Sequence, residues 1–526
     1  MSIVDIAFIG SGAATTTTLI ELFDKLINGP LSGIMLNITV IDKYPEFWKG
    51  IPYGARSSVN SLTITPVSDF VSTGKERELF FKWLKINLDD LFNYYSLNGG
   101  MAAEGWLADN SAALKNEEWD KVYIPRFIWG IYMQNKLLTL LKTAEEKQLV
   151  QVTLIQAEAI DVEKLTGGLF NVRLEHPDKK QTTITVKKLV VAIGSAPVKT
   201  YEMPGADKPY TYINDLYAPL LDDNIKALRT TLAATENAAE RNVLLIGSNA
   251  SSIELLYLLN NRPDVTQQAN KIVSISRAGC MPYHISDTRL EHYPTLHLDA
   301  IKTSGNYNIH TLVKAAKKDI EQAIQNHVVR VPYVDRIIGY TIELMQVLGE
   351  EAKKIFFGTY GMQLTRLIRR SGPAYKNASE ALLQTQQLLL VKGEFAGITQ
   401  QDNTGLLNYI DPVTGQQQTY NLPFRVIINC TGADDLENSS SRLIYNLVNK
   451  HICRVNLSGK GFEVNDRFEA ASNLYVIGPL LGGNMNKRIY FWHIENLARL
   501  LYLSPYLADC LLAGKGILHH NRKASD

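Results

Sequence analysis

A chain of 526 residues has room for several domains, about two to four at ordinary domain size. Apolar side chains make up 45% of it, enough for buried cores, and 54 Lys+Arg against 53 Asp+Glu leave a net charge of +1. That balance excludes nucleic-acid binding by bulk charge, which needs a basic surface excess, and leaves room only for a local basic pocket. Cys280, Cys430, Cys453 and Cys510 form no C-x-x-C pair, which excludes a close dithiol centre and points to a reducing, cytoplasmic setting. The opening residues Met1 to Asp5 carry no basic cluster, and the apolar run they begin ends in glycines, as a strand does and a signal peptide does not. No apolar stretch reaches the roughly 18 residues of a membrane span, so no membrane association is expected.

Residues 3–9 form a short apolar run of buried-strand type. The turn Gly10-Ser11-Gly12-Ala13 follows, and Leu19, Ile20, Leu22, Phe23, Leu26 and Ile27 then recur at helical spacing. After a loop at 28–33, residues 38–41 give a second strand that ends at Asp42. A strand, helix and strand in this order predict a parallel β-α-β unit. Residues 189–193 form a strand that runs into Gly194 and Ser195. The first grammar then returns: strand 242–246, turn Gly247-Ser248-Asn249-Ala250, helix 251–259, and strand 271–276 ending at Arg277. From about 285 to 385 the pattern is helical and polar, which we read as an insertion in the second unit and a candidate lid. Strand 426–429 leads into Cys430-Thr431-Gly432, strand 473–477 into Gly478-Pro479, and a helix is expected around 494–503. The tail 515–526 is polar. The expected fold is α/β, with two Rossmann-like dinucleotide-binding domains and a helical insertion. The expected boundaries are a first domain at 1–200, a second at 201–424, and a return to the first at 425–526.

A dinucleotide pyrophosphate needs backbone N–H donors at a helix N-terminus with no side chain in the way. Gly10 supplies the tight turn and Gly12 the close approach, with Ser11, Ala13 and Ala14 lining the same loop. The third small residue of the usual pattern is replaced by Thr15, which demands a local adjustment. Asp42, with Lys43 beside it, ends the second strand where an acid takes a ribose 2′-hydroxyl. It lies 30 residues beyond Gly12 (42 − 12), more than the usual ~20, and the 28–33 loop absorbs the excess. In the second unit Gly247, Ser248 and Asn249 form the turn, with Asn249 and Ser252 in place of two glycines. Its second strand ends in Ser276-Arg277, a pair suited to a 2′-phosphate, so NADPH is the expected visitor. Two such sites in one chain imply hydride traffic between a resident and a visiting cofactor.

Taken in order, the motifs resemble the two-dinucleotide-domain flavoproteins of the FAD/NAD(P)-binding family, relatives of the flavin-dependent ornithine and lysine N-hydroxylases and aspartate N-oxygenases. The resemblance rests on residues 9–14, 40–42, the Trp48-Lys49-Gly50-Ile51-Pro52-Tyr53-Gly54 segment, Ile124-Pro125-Arg126 with Gly130 and Tyr132, and residues 191–194, 245–247, 276–279, 429–432 and 476–479. It implies that Trp48, Tyr53 and Arg126 lie against the flavin, and that Gly478 and Pro479 lie near its ribityl chain. Ile193, Gly194 and Gly432 fall on strand ends of the same kind. Ser61 to Thr65 stand where the family often has an Asn, and no Phe-x-Gly-x-x-x-His stretch of the Baeyer–Villiger type occurs.

The resemblance implies an FAD-dependent, NADPH-consuming monooxygenase that hydroxylates the nitrogen of a small amine or amino acid with molecular oxygen, through a C4a-hydroperoxyflavin. The residues themselves leave open an FAD/NAD(P)H oxidoreductase that transfers no oxygen, and a non-catalytic scaffold with a degenerate dinucleotide fold. Candidate catalytic residues are His284, seven beyond Arg277, Arg366 in the insertion near Tyr360, Arg369, Arg370 and Tyr375, and His493 in Tyr490-Phe491-Trp492-His493. A plain loop histidine accounts for His284 at least as well, a solvated helix face accounts better for Arg366 and its neighbours, and His493 could instead cap a helix under the C-terminal strand. His292 and His297 have no metal-ligand spacing, so no metal is expected.

Overall fold

The computed structural model describes residues 3–29, 35–71, 74–204, 210–284, 294–326, 331–367, 370–492 and 497–513. The first apolar run forms β1 (Val4–Ile9), buried at every position but the first. Burial that continuous belongs to a strand covered on both faces, the condition of a parallel sheet. The helix Ala13–Asn28 crosses back, and β2 (Leu36–Asp42) lies parallel to β1 with Ile9 opposite Ile41. β3 (Val150–Gln156) adds beside β2. β4 (Glu158–Lys164) and β5 (Phe170–Glu175) form an antiparallel excursion that feeds β6 (Gln181–Val191). The second half of β6 returns to the free side of β1, parallel, with Val191 opposite Ile9.

The second sheet begins with β7 (Thr211–Ile213), β8 (Val243–Ile246) and β9 (Ile272–Ser276). Two-residue strands β10 (Tyr283–His284) and β11 (Arg370–Ser371) pair with each other. β12 (Leu388–Lys392) then joins β9 in parallel. β13 (Glu394–Gln401), β14 (Thr404–Ile410) and β15 (Gln417–Phe424) make a separate antiparallel sheet, and β16 (Val426–Asn429) slots in beside β8. The second sheet therefore reads β12-β9-β8-β16-β7, all parallel. β17 (Glu469–Ala471) and β18 (Leu474–Val476) complete the first, in the order β17-β18-β6-β1-β2-β3. Residues 426–429 thus sit in the second sheet, beyond the boundary expected at 424. The chain rejoins the first sheet at β17.

The expected insertion divides in two. The helix Pro373–Gln384 packs on the helix Ala250–Asn260, with the Tyr375 and Tyr257 rings 5.1 Å apart, and serves as the crossover into β12. The helices from Leu296 to Leu367 instead gather a core of their own around Leu298, Leu312, Ile320, Ile337, Phe356 and Leu364. Buried Asp319 joins two of them by accepting the backbone N–H groups of His297 and Leu298, each at 3.0 Å. That core meets the rest of the chain at Met485 and Trp492, the latter stacked on Phe357 at 5.8 Å.

Candidate dinucleotide site

Each parallel sheet ends in a glycine elbow. Gly10 follows β1 with φ +96°, and a Cβ there would stand 2.4 Å from the Ala192 carbonyl oxygen. Gly247 follows β8 with φ +110°, and a Cβ there would stand 2.6 Å from the Cys430 carbonyl oxygen. The two sheets repeat one arrangement: a central strand turns into its helix against the end of the neighbouring parallel strand.

At the first elbow Asp42 holds the turn. Its Oδ2 accepts Ser11 N–H at 2.8 Å and Ser11 Oγ–H at 2.7 Å, and its Oδ1 accepts Tyr44 N–H at 3.0 Å. A carboxylate has about four lone-pair directions, so Asp42 retains capacity for a ribose hydroxyl while bracing the loop. Trp48, buried with φ 84°, donates its N–H to the Ser11 carbonyl at 2.8 Å, and its own carbonyl accepts Thr16 Oγ–H at 2.7 Å. Gly50 follows closely enough that its Cβ would stand 3.0 Å from Gly12 Cα.

Thr15 is explained by the same geometry. Its hydroxyl donates to the Gly10 carbonyl at 2.5 Å, so the side chain that replaces the third small residue ties the helix back to the elbow. Thr17 and Thr18 donate to Ala13 and Ala14 carbonyls at 2.9 and 2.7 Å. A run of four buried threonines is thereby satisfied without water. Gly12 is an N-cap without a side-chain cap, and the first turn carries no acid, so the helix N-terminus stays open to an anion. Ile193 and Gly194 leave the end of β6, and Gly478, with Pro479 after it, lies 3.5 Å from Ala14 Cβ by its would-be Cβ. Lys43 is exposed beside the Tyr44 ring.

At the second elbow Ser248 is buried, and Asn249 is an N-cap whose side chain makes no capping bond, again with no acid in the first turn. Gly432 turns the chain after β16 with φ +88°. Ser276 ends β9, its hydroxyl and carbonyl both accepting Gly279 N–H at 3.1 Å. Arg277 is exposed and forms an ion pair with Glu394.

A buried polar cluster joins the first unit to the helix that follows the second elbow. Arg126, at the N-terminus of the helix Arg126–Glu146, places Nη2 2.5 Å from Glu254 Oε1 in the second unit. Ser61 Oγ donates to the same oxygen at 2.5 Å, and Tyr217 Oη donates to Glu254 Oε2 at 3.2 Å. Burial opposes the Arg126 charge, but Glu254, Tyr375 and Tyr217 together outweigh it, so the guanidinium is held protonated. Burial, then the Glu254 charge, pushes the Tyr217 and Tyr375 hydroxyls up; Tyr53, buried near Arg126, is pushed up to about 12 by burial. Tyr375 accepts Leu62 N–H at 2.8 Å and donates to its carbonyl at 3.0 Å. Arg126 Nε and Thr63 Oγ1 are buried hydrogen-bonding atoms without a partner among the described residues. They sit on adjoining segments, since Arg126 N–H donates to Ser61 and Thr63 N–H to Ile124. Unpaired buried donors of this kind suit a ligand with acceptor atoms.

The first cluster therefore gathers Gly10 to Thr15, Asp42, Trp48, Gly194 and Gly478, the second Gly247 to Asn249 with Gly432, and Arg126 meets the second unit. The sequence reading missed Glu254 and Glu394. Glu254 had a signal: it is a lone acid among Ile253, Leu255, Leu256 and Tyr257, where an unpaired charge is costly. The side chains of His284 and Arg366, and all of His493, lie outside the described residues. Cys430 and Cys453 are free thiols that burial pushes up to about 12, so neither supplies a thiolate near neutral pH.

Two parallel sheets with paired elbows and open helix N-termini define an FAD/NAD(P)-binding flavoprotein. Residues 7–196 match a family of domains described as FAD-NAD(P)-binding. An uncharacterized protein of Mycobacterium tuberculosis is 34% identical over 518 residues, 97% of this chain and 95% of its own, as is one of Mycobacterium bovis. The chain belongs to one family with these mycobacterial proteins, and its residues 7–196 form an FAD/NAD(P)-binding domain. Among solved structures it is similar to the FAD-bound cadaverine monooxygenase of Erwinia amylovora, with a TM-score of 0.55 and 13% identity over 100% of this chain and 98% of that one. It is also similar to the L-lysine 6-monooxygenase of Pseudomonas syringae, with a TM-score of 0.50 and 14% identity over 97% and 99%. At that identity the likeness is one of fold. No helix among the described residues is long and apolar enough to cross a membrane.

Proposed function

We propose that the protein is an FAD-dependent, NADPH-consuming monooxygenase that hydroxylates the nitrogen of a small amine or amino acid. The observation that carries this reading is the pair of elbows at Gly10 and Gly247, bridged by Arg126 and Glu254. One elbow serves a resident dinucleotide and the other a visiting one. The fold's likeness to a cadaverine and a lysine monooxygenase supports an amine as acceptor.

In this reading Gly10, Ser11, Gly12, Ala13, Ala14 and Thr15 cradle the ADP half of FAD, and Asp42 takes its ribose. Trp48, Tyr53 and Arg126 approach its ring end. Gly247, Ser248 and Asn249 receive the NADPH pyrophosphate, and Ser276 and Arg277 its 2′-phosphate. Bound FAD supplies the two-electron chemistry that splits dioxygen between the amine and water. The balance is one amine, one O2, one NADPH and one proton giving one hydroxylamine, one water and NADP+. In this reading the helical layer from Leu296 to Leu367, seated against Met485 and Trp492, is assigned the exclusion of water from the reduced flavin. The buried thiols disfavour electron transfer to a cysteine pair.

The test is substrate-stimulated NADPH oxidation by the purified protein across a panel of diamines and amino acids, with peroxide and hydroxylamine both measured. A matched amine should raise NADPH oxidation and give hydroxylamine in equal amount. Oxidation yielding peroxide alone with every amine would overturn the oxygen-transfer reading, and a preparation that takes up no FAD would overturn the enzyme.

A further inference from the structure

Arg277 is not alone at the end of β9. β12 runs beside β9 in register, with Lys392 opposite Ser276. The Ser276 carbonyl accepts Gly393 N–H at 3.0 Å as well as Gly279 N–H, which ties the 276–279 turn to the start of β13. A Cβ on Gly279 would stand 2.5 Å from Lys392 Cβ, so the two segments touch. This framework places the Glu394 carboxylate against the Arg277 guanidinium in an ion pair whose side chains are 72% and 54% exposed.

We propose that Glu394 sets the choice between NADPH and NADH, as an internal anion that competes with the 2′-phosphate for Arg277. This rests on the reading of Gly247 to Arg277 as the NADPH site. A 2′-phosphate carries about two negative charges near neutral pH. To reach Arg277 it must displace Glu394, and it meets a like charge when it arrives. A free 2′-hydroxyl has the opposite interest, because it can donate to the same carboxylate. Arg277 and Glu394 therefore pull selectivity in opposite directions, and their pairing moderates a preference that Arg277 alone would make steep. The pair is exposed, so its leverage is modest and falls as salt rises.

The experiment measures binding of 2′,5′-ADP and 5′-AMP to the FAD-loaded protein by calorimetry, for wild type, E394Q, E394A and R277A, at low and high salt. E394Q is expected to tighten 2′,5′-ADP by about three- to fivefold, the scale of an exposed charge pair, to leave 5′-AMP unchanged or weaker, and to lose most of the gain in high salt. Steady-state KM values for NADPH and NADH should move the same way. R277A should weaken 2′,5′-ADP and leave 5′-AMP unchanged. If R277A weakens 2′,5′-ADP while E394Q and E394A leave it unchanged, the role of Glu394 is wrong and the NADPH reading stands. If R277A itself leaves 2′,5′-ADP unchanged, the NADPH reading fails, and this inference with it. Both residues are exposed, and matching melting temperatures would show that the variants fold.

Discussion

Arg126 Nη2 and Glu254 Oε1 stand 2.5 Å apart, joining the helix that begins at Arg126 to the helix Ala250–Asn260 that follows β8 of the second sheet. Their side chains are only 16% and 5% exposed. Removing one partner of such a pair leaves a buried charge and typically costs about 3–5 kcal/mol, whereas replacing both by apolar groups is often near neutral. Glu254→Ala should therefore lower urea stability by about that amount, and Arg126→Met with Glu254→Leu should recover most of it. Because Arg126 approaches the flavin in the proposed site, the stable double variant should still lose flavin affinity. Denaturation midpoints and bound-flavin ratios test the two halves separately.

The elbows make a second, paired prediction. An added methyl at Gly10 or Gly247 meets a carbonyl oxygen at 2.4 or 2.6 Å, and the unusual backbone alone costs a larger residue about 1–3 kcal/mol. Gly10→Ala should purify with little flavin absorbance. Gly247→Ala should keep its yellow colour and lose reduction by NADPH while still accepting electrons from dithionite. Equal loss of flavin in both would separate the second elbow from nicotinamide binding.

Thr15 gives a smaller effect of a different kind. Thr15→Val keeps the shape and removes the bond to the Gly10 carbonyl, a loss of about 1 kcal/mol in unfolding free energy. Thr15→Ser should retain most of it. An unfolding series in urea distinguishes this from a packing effect, in which Val would match wild type and Ser would fall below it.

Acid stability should depend on Glu175. Its hydrogen bonds to Arg442, which also pairs with Glu158, hold the carboxyl down at about 2 against an ordinary 4.5. A carboxyl lowered in the folded state contributes stability that is fully present above about 4.5 and is lost as pH falls through about 2. Glu175→Gln should lower stability at pH 7, where the contribution is fully present, and converge on wild type as pH falls towards about 2, flattening that part of the profile. Stability measured from pH 2 to 7 is the check, and a profile unchanged by the substitution would remove Glu175 from the account.

Much of the site was legible because backbone needs are local. Gly10, Gly247, Gly194, Gly432 and Gly478 each follow an apolar run, and each was readable as a strand end running into a glycine turn. Asp42 was legible for the same reason. Glu394 was not, because it lies 117 positions from Arg277 and meets it only through the pairing of β9 with β12. The membership of residues 426–429 was also hidden: a buried parallel strand looks alike in either sheet, and only its hydrogen-bond partners, here β8 and β7, decide. Thr15 departs from the glycine pattern in sequence, and only the fold brings its hydroxyl onto the Gly10 carbonyl.

The helical layer between Leu296 and Leu367 keeps an apolar core separate from those of the two sheets and is seated against Met485 and Trp492. A layer with its own interior can be remodelled without disturbing the strands that carry the glycine elbows. Among proteins that share this scaffold, sequence drift should collect in that layer while the elbows and the strands behind them stay fixed.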